Sequence, residues 1–445
     1  MRFLEFLKRL FFGGSAQSTA DKYSRTPDDT RFQSTLAPTE PETHPESQIS
    51  DHVKREQHWP VLVPLRRKRI RQTTHNGEET AGPKKYALAL PYIMSPDSYL
   101  DLTQDVQPEL LNNWDLPHIV TPADLADWLQ ISLGQLGWLT DRFSEGKRPI
   151  DARKAHYRYS WKEKRSGGYR LIESPLPMLR QAQEQILDEI LEQIPPHAAA
   201  HGFRTGRSIV TNAEPHVGQA VLVKLDLDNF YTRVRFSRVV AIFRSLGYSR
   251  EISLWLARLT TSAIPGNLQF PGGQPKLFSL FLPRHLPQGA STSPALANLV
   301  AFSLDVRLSG LAKSFNANYT RYGDDLTISG DERFRHSLRL FIPLARQIIR
   351  QERFVLNAKK KKIIRPMSQQ RVTGVVVNEK TNIPRKEYDR LKATLHNCVR
   401  FGPESQNHDQ HEHYQAHLRG RIAFVQQLNP HRGEKLLAIY RKINW

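Results

Sequence analysis

Apolar and polar positions along the chain follow two periods. Alternation marks residues 157–175, where two arms flank Ser166-Gly167-Gly168, and residues 319–330, where arms rich in Tyr, Thr and Ile flank Gly323-Asp324-Asp325. Each reads as a β-hairpin. The apolar run Val221-Leu-Val-Lys-Leu-Asp226 reads as a strand ending on Asp226 and Asp228, and residues 372–378 as a further short strand. Helical spacing governs most of the rest. Thr121 with Pro122 starts a helix carrying Leu125, Trp128 and Leu129, and Ser132 caps a second with Leu133, Leu136 and Leu139. The pair is a small packed unit or a helix-turn-helix, although its second helix lacks a basic face. Apolar faces also predict helices over residues 178–194, 236–259, 295–308, 335–352, 388–399 and 418–428.

The first 85 residues follow neither period. Residues 1–12 form a short basic amphipathic segment without a signal-peptide cleavage pattern, suited to a membrane surface, a partner protein or a frayed helix. Residues 13–50 have the Ser-, Thr-, Pro- and acid-rich composition of a disordered tether, and residues 64–72 are densely basic. Order is expected to begin near Tyr86.

Composition narrows the class. Across 445 residues, a net charge of +20 predicts a polyanionic partner, either nucleic acid or an acidic membrane surface. No apolar run approaches the roughly 20 residues that cross a bilayer. The single cysteine, Cys398, excludes an intramolecular disulfide and a multi-cysteine zinc site, and it is consistent with a cytoplasmic location. His408, His411, His413 and His417 invite a metal reading, yet Gln415 stands at the second His place of a His-Glu-x-x-His frame.

The sharpest chemistry lies at the Asp324-Asp325 tip. Adjacent carboxylates at a turn repel each other unless a divalent cation sits between them, and Mg²⁺ prefers a few carboxylates plus phosphate oxygens. Asp226 offers a third carboxylate. Two strands presenting Asp226, Asp324 and Asp325 at one edge would hold two metals for in-line nucleotidyl transfer; alone, an Asp-Asp turn is equally a solvated loop. Lys164, Arg165 and Arg170 on the first hairpin suit a triphosphate. Arg204 and Arg207, in a Gly-punctuated loop, suit a template backbone. In Leu286-Pro-Gln-Gly-Ala-Ser-Thr-Ser-Pro294, Gly and small hydroxyl residues entering a helix permit close approach of an anion. Four lysines within residues 357–364 form a basic strand edge or a solvated charge run.

Taken in order, Asp226 with Phe230-Tyr231, Leu286-Pro-Gln-Gly289 and Tyr322-Gly-Asp-Asp325 resemble the palm of reverse transcriptases, from about Tyr157 to the C-terminus. Asn212-Ala-Glu-Pro-His216, Val372-Thr-Gly374, and residues 418–425 with Asn429-Pro430 narrow the resemblance to retron-type bacterial reverse transcriptases. It implies an α+β right-hand architecture: a helical region over 86–150, fingers and an antiparallel palm over 151–370, and a helical, RNA-binding thumb over 371–445. Residues 1–85 match nothing in the family.

The resemblance further implies an RNA-directed DNA polymerase using two Mg²⁺ ions and dNTP substrates. Asp226, Asp324 and Asp325 would be catalytic and, with Leu227, form the metal set. Arg170, Tyr231, Gln288, Gly289 and Lys360 would bind the nucleotide, with Tyr231 crowding a ribose 2′-hydroxyl. Arg204, Arg207, Asn212, His216, Val372, Thr373 and Gly374 would engage RNA. The implied partner is a cognate structured non-coding RNA, copied in part from a 2′-hydroxyl into a branched RNA–DNA hybrid. An effector protein and anti-phage defence follow from the same resemblance. The residues leave open a group II intron-like enzyme, another bacterial reverse transcriptase without retron RNA, and a catalytically silent RNA-binding scaffold.

Overall fold

Local capping sets the first helices of the computed structural model, which describes residues 102–140, 149, 151–164, 167–271 and 278–445. The readings for residues 1–85, the onset of order near Tyr86 and the Arg165 side chain lie outside the described residues. α1 (Pro108–Asn113), α2 (Pro122–Trp128) and α3 (Leu133–Thr140) lead the chain. Thr121 and Asp124 cap each other's backbone N–H groups at the start of α2, the reciprocal box that holds a short helix end. β1 (Tyr157–Glu163) and β2 (Tyr169–Pro175) then pair as an antiparallel hairpin, the fingers. α4 (Pro177–Ile186) continues through a π turn, Leu187–Leu191, towards the stop at Pro195-Pro196.

Next come α5 (Ile209–Ala213), β3 (Val221–Asp226) and α6 (Phe230–Arg233). The helix predicted over 236–259 is two helices, α7 (Phe236–Ser245) and α8 (Arg250–Leu259). Gly247 takes φ +110° between them, and the Ser249 hydroxyl accepts the Ile252 N–H to start a new helix. The break has a packing reason: a Cβ on Gly247 would lie 2.6 Å from the Gln107 carbonyl that precedes α1.

The helix predicted over 295–308 is also divided. α9 (Thr292–Val300) and α10 (Phe302–Ser314) meet at a 51° bend, where Arg238 donates to the Val300 carbonyl. α9 borders the cleft, whereas α10 backs the sheet beside β4 (Ala317–Tyr322). β5 (Asp325–Gly330) returns antiparallel to β4, and α11 (Glu332–Gln351) packs behind the sheet. With β6 (Lys362–Ile364) the strand order is β4-β5-β3-β6, antiparallel throughout, as expected of the palm.

The single strand expected over 372–378 is a hairpin, β7 (Arg371–Val372) and β8 (Val375–Val376). Its two turn residues, Thr373 and Gly374, both have positive φ, as a tight two-residue connection demands. The thumb comprises α12 (Arg385–Phe401), α13 (Tyr414–Leu428) and α14 (Pro430–Tyr440). α12 buries Leu391, Leu395 and Cys398 along one stripe and leaves Arg385, Lys386, Arg390 and Lys392 exposed. α14, which apolar spacing had not marked, starts at Pro430 with the Asn429 side chain accepting the Arg432 N–H. One apolar cluster joins Val210 and Ala213 of α5, Leu222 of β3, and the thumb residues Leu391, Ile422 and Leu436. Among the described residues no single helix is long and apolar enough to cross a membrane.

Candidate active site

Strand register brings the acidic residues together. On β3 and β5, Asp226 lies directly opposite Asp325. Opposed residues on antiparallel neighbours project from the same face with Cβ atoms about 5 Å apart. The turn between β4 and β5 is Gly323-Asp324, with Gly323 at φ +63°. Leu227 N–H donates to the Asp324 carbonyl at 2.9 Å, tying this turn to the end of β3. Asp226, Asp324 and Asp325 therefore share one end of the central strands, while Asp228 turns aside to Asn229 and Arg233.

The electrostatics of this corner call for positive charge. Burial, then the Asp325 and Asp226 carboxylates, raise the pKa of Asp324 above the usual value. Burial likewise raises Asp325; Lys224 opposes the shift and Asp226 adds to it. Lys360 Nζ lies 2.7 Å from Asp226 Oδ2. Burial disfavours its charge, but the hydrogen bond and the surrounding carboxylates outweigh burial and hold its pKa above the ordinary lysine value. Among the described residues no three acidic, histidine or cysteine groups enclose a cation unaided. An oxygen-only donor set with an ammonium standing against it fits a hard divalent cation whose remaining positions come from phosphate and water. Leu227 has only backbone to offer such an ion, since its side chain is apolar and buried.

A buried polar frame underlies the turn, and the sequence reading had missed it. Arg321 and Asp305 form a fully buried ion pair at 2.6 Å. Arg321 Nη1 also donates to the Gly323 carbonyl at 3.1 Å and to Asn298 Oδ1 at 2.8 Å, and the Tyr319 hydroxyl donates to Asp305. The available signal was an arginine on an inward strand position between Thr320 and the Tyr-Gly-Asp-Asp tip. A second frame joins fingers to palm. His285 Nε2 lies 3.1 Å from Glu173 Oε2, both side chains being buried, and Glu173 N–H donates to the Gln288 carbonyl.

Beside the carboxylates a cavity of about 490 Å³ is lined by Tyr231, Gln288, Gly289, Phe203 and Ser291, among others. Gly289, at φ +135°, sits so close to β2 that a Cβ would come 3.0 Å from the Glu173 carbonyl. Burial, then the Asp324 charge, push the Tyr231 hydroxyl up to about 12, so it stays protonated. Arg170 is exposed on β2 opposite Lys162. At the fingers tip Lys164 reaches across to Asn229 Oδ1 at 3.1 Å, and burial lowers its pKa.

The residues expected to engage RNA divide into two sets. Arg207 is exposed and Arg204 half-buried on the loop over 201–209. Asn212, His216 and Val372, by contrast, are buried. His216 is held between Ser329 Oγ at 2.7 Å and Thr320 Oγ1 at 2.8 Å. Asn212 Nδ2 donates to Thr373 Oγ1 at 3.4 Å, and Thr373 in turn donates to the Ile209 carbonyl. The Asn212–His216 and Val372–Gly374 elements thus meet as a joint between palm and thumb, with Gly374 exposed at its edge. In the thumb, the His411 and His417 rings stack at 4.4 Å.

The family described as reverse transcriptase (RNA-dependent DNA polymerase) matches residues 162–377. The retron Mx65 reverse transcriptase of Myxococcus xanthus is 39% identical over 327 residues, covering 73% of this chain and 72% of that protein. The retron Mx162 reverse transcriptase of the same organism is 36% identical over 330 residues, covering 71% and 65%. The retron Ec86 reverse transcriptase of Escherichia coli is 32% identical over 279 residues, covering 62% and 76%.

Proposed function

Because the chain belongs to the retron reverse transcriptases and is an RNA-directed DNA polymerase, we propose that it copies part of a cognate structured RNA from a 2′-hydroxyl, giving a branched RNA–DNA hybrid. The observation that carries the catalytic part is the register pairing Asp226 with Asp325 beside the Asp324 turn. Asp226, Asp324 and Asp325, with the Leu227 backbone, would hold two Mg²⁺ ions. Bound there, the ions would supply activation of the attacking hydroxyl and neutralisation of charge on the leaving pyrophosphate.

The remaining work is positioning. The Tyr231 ring borders the cavity, where it crowds a ribose 2′-hydroxyl and favours deoxynucleotides. Gln288 and Gly289 would bring backbone within contact of the nucleotide, while β2 leaves no room for a side chain at Gly289. Arg170 with Lys164 steadies the triphosphate from the fingers. Lys360, protonated and against Asp226, would pass a proton to the leaving group. The exposed basic face of α12 and the Arg204–Arg207 loop hold the duplex and template through their phosphates. A service in anti-phage defence, with an effector protein, follows from the family resemblance.

The deciding experiment sequences the nucleic acid that copurifies with wild type and with Asp324→Ala/Asp325→Ala, alongside Mg²⁺-dependent primer extension. A branched hybrid with a 2′,5′ linkage, present only in wild type, is expected. An active preparation carrying only linear, unbranched DNA would refute retron-type priming. Absence of incorporation with RNA binding intact would refute the polymerase assignment of the site.

A further inference from the structure

A second cavity, of about 370 Å³, adjoins the one assigned to the incoming nucleotide and shares Phe203, Ser291 and Pro294 with it. We propose that it receives the first uncopied template base, the one immediately 5′ of the templating nucleotide, with Phe203 as the partition between the two. The proposal rests on the nucleotide assignment of the first cavity.

Phe203 is the observation that asks for a ligand. Its side chain is 55% exposed and its backbone sits at φ +55°, a conformation that L residues rarely adopt. The surrounding fold holds it there: its ring lies 5.8 Å from that of Tyr322, and a Cβ on Gly323 would be 3.3 Å from its Cε2 atom. An exposed ring fixed beside the catalytic turn offers a face on which a base can stack.

The cavity behind it suits a base of any sequence. Leu191, Ile194, Pro196, Ala295 and Leu299 make its wall apolar. The Asn298 side chain, which also lines it, is engaged at both ends, accepting from Arg321 and donating to the Gly202 carbonyl. Asn298 therefore offers a base little hydrogen-bonding discrimination, as a site passed by every template base must. The buried Ser291 hydroxyl, in the partition, lacks a hydrogen-bond partner. Arg204 and Glu192 both line the cavity, Arg204 donating to the Pro196 and His197 carbonyls, and exposed Arg207 on the same loop adds positive charge for the strand's phosphates. Holding the next base behind Phe203 keeps it from stacking over the templating base and competing with the incoming nucleotide.

The test is single-nucleotide incorporation by the full-length protein on RNA templates that are intact, abasic immediately 5′ of the templating position, or abasic three nucleotides further along. Fluorescence anisotropy measures template binding in parallel. Wild type is expected to lose about 10-fold in incorporation efficiency on the first abasic template and little on the second. Phe203→Ala and the cavity-filling Ala295→Trp are each expected to lose a similar factor on the intact template and nothing more on the abasic one. Equal loss by wild type and both variants on the abasic template, or no loss by wild type, would overturn the cavity assignment alone. No incorporation on any template, with binding intact, would overturn both the cavity and the nucleotide site beside it.

Discussion

At the scale of single residues, the proposed function and stability pull in opposite directions at the Gly323–Asp324 turn. Asp324, though exposed at the turn, has its charge disfavoured by partial desolvation and by the Asp325 and Asp226 carboxylates. Asp324→Asn is therefore expected to lower primer extension by at least ~10²–10³-fold while leaving urea stability unchanged or raised. Arg321 has the opposite profile. Its removal strands the Asp305 carboxylate in the core, so Arg321→Met is expected to cost about 3–5 kcal/mol in urea unfolding. Pairing it with Asp305→Leu should restore much of that stability. Activity should stay low in the double variant, because the hydrogen bond to the Gly323 carbonyl is still missing.

At the scale of elements, close approach accounts for features that spacing alone had not shown. Gly433 lets α14 lie against α13, since a Cβ there would come 2.4 Å from the Gln426 Cα. Gly433→Ala is expected to destabilise the thumb by about 1–3 kcal/mol, read as earlier urea unfolding and weaker RNA binding with the palm intact. The two divided helices follow the same logic. Their apolar faces read as continuous, but Gly247 is required by the Gln107 carbonyl and the bend after α9 separates a cleft-lining helix from one that backs the sheet. Asn212 and Thr373 are equally instructive: 161 positions apart, they are joined by a hydrogen bond, which makes two separate motifs one joint.

For the molecule as a whole, two properties follow from charge and burial. Burial, then His201, hold the pKa of His216 down to about 3; burial, then Arg207 and Arg204, hold His201 down to about 4. Unfolded histidine titrates near 6.5, so above that pH neither form of the protein gains from protonation. As pH falls below 6.5 the unfolded chain takes up protons that these two side chains refuse, and stability declines by about 1.4 kcal/mol per pH unit for each until its folded pKa is reached. Urea titrations between pH 5 and 7.5 should show this slope, shallower in His216→Asn. The net charge of +20 favours binding to phosphate backbones. RNA affinity is therefore expected to fall linearly on a log–log plot against salt, and substituting Arg207 should reduce the slope by about one unit or less.

Alternation and short motifs were enough to determine the two hairpins, the strand ending at Asp226, the Asp-Asp tip and the family resemblance, because each depends on neighbours within a few residues. Only the tertiary structure decided that Asp226 faces Asp325 in register, that Lys360 stands against Asp226, and that His216 and Asn212 lie buried between segments far apart in the chain. The Arg321–Asp305 frame and the Phe203 partition also belong to it. A side chain's period along the chain reports which face it occupies; what meets it there depends on strand register and on packing between segments far apart in sequence, which no local pattern records.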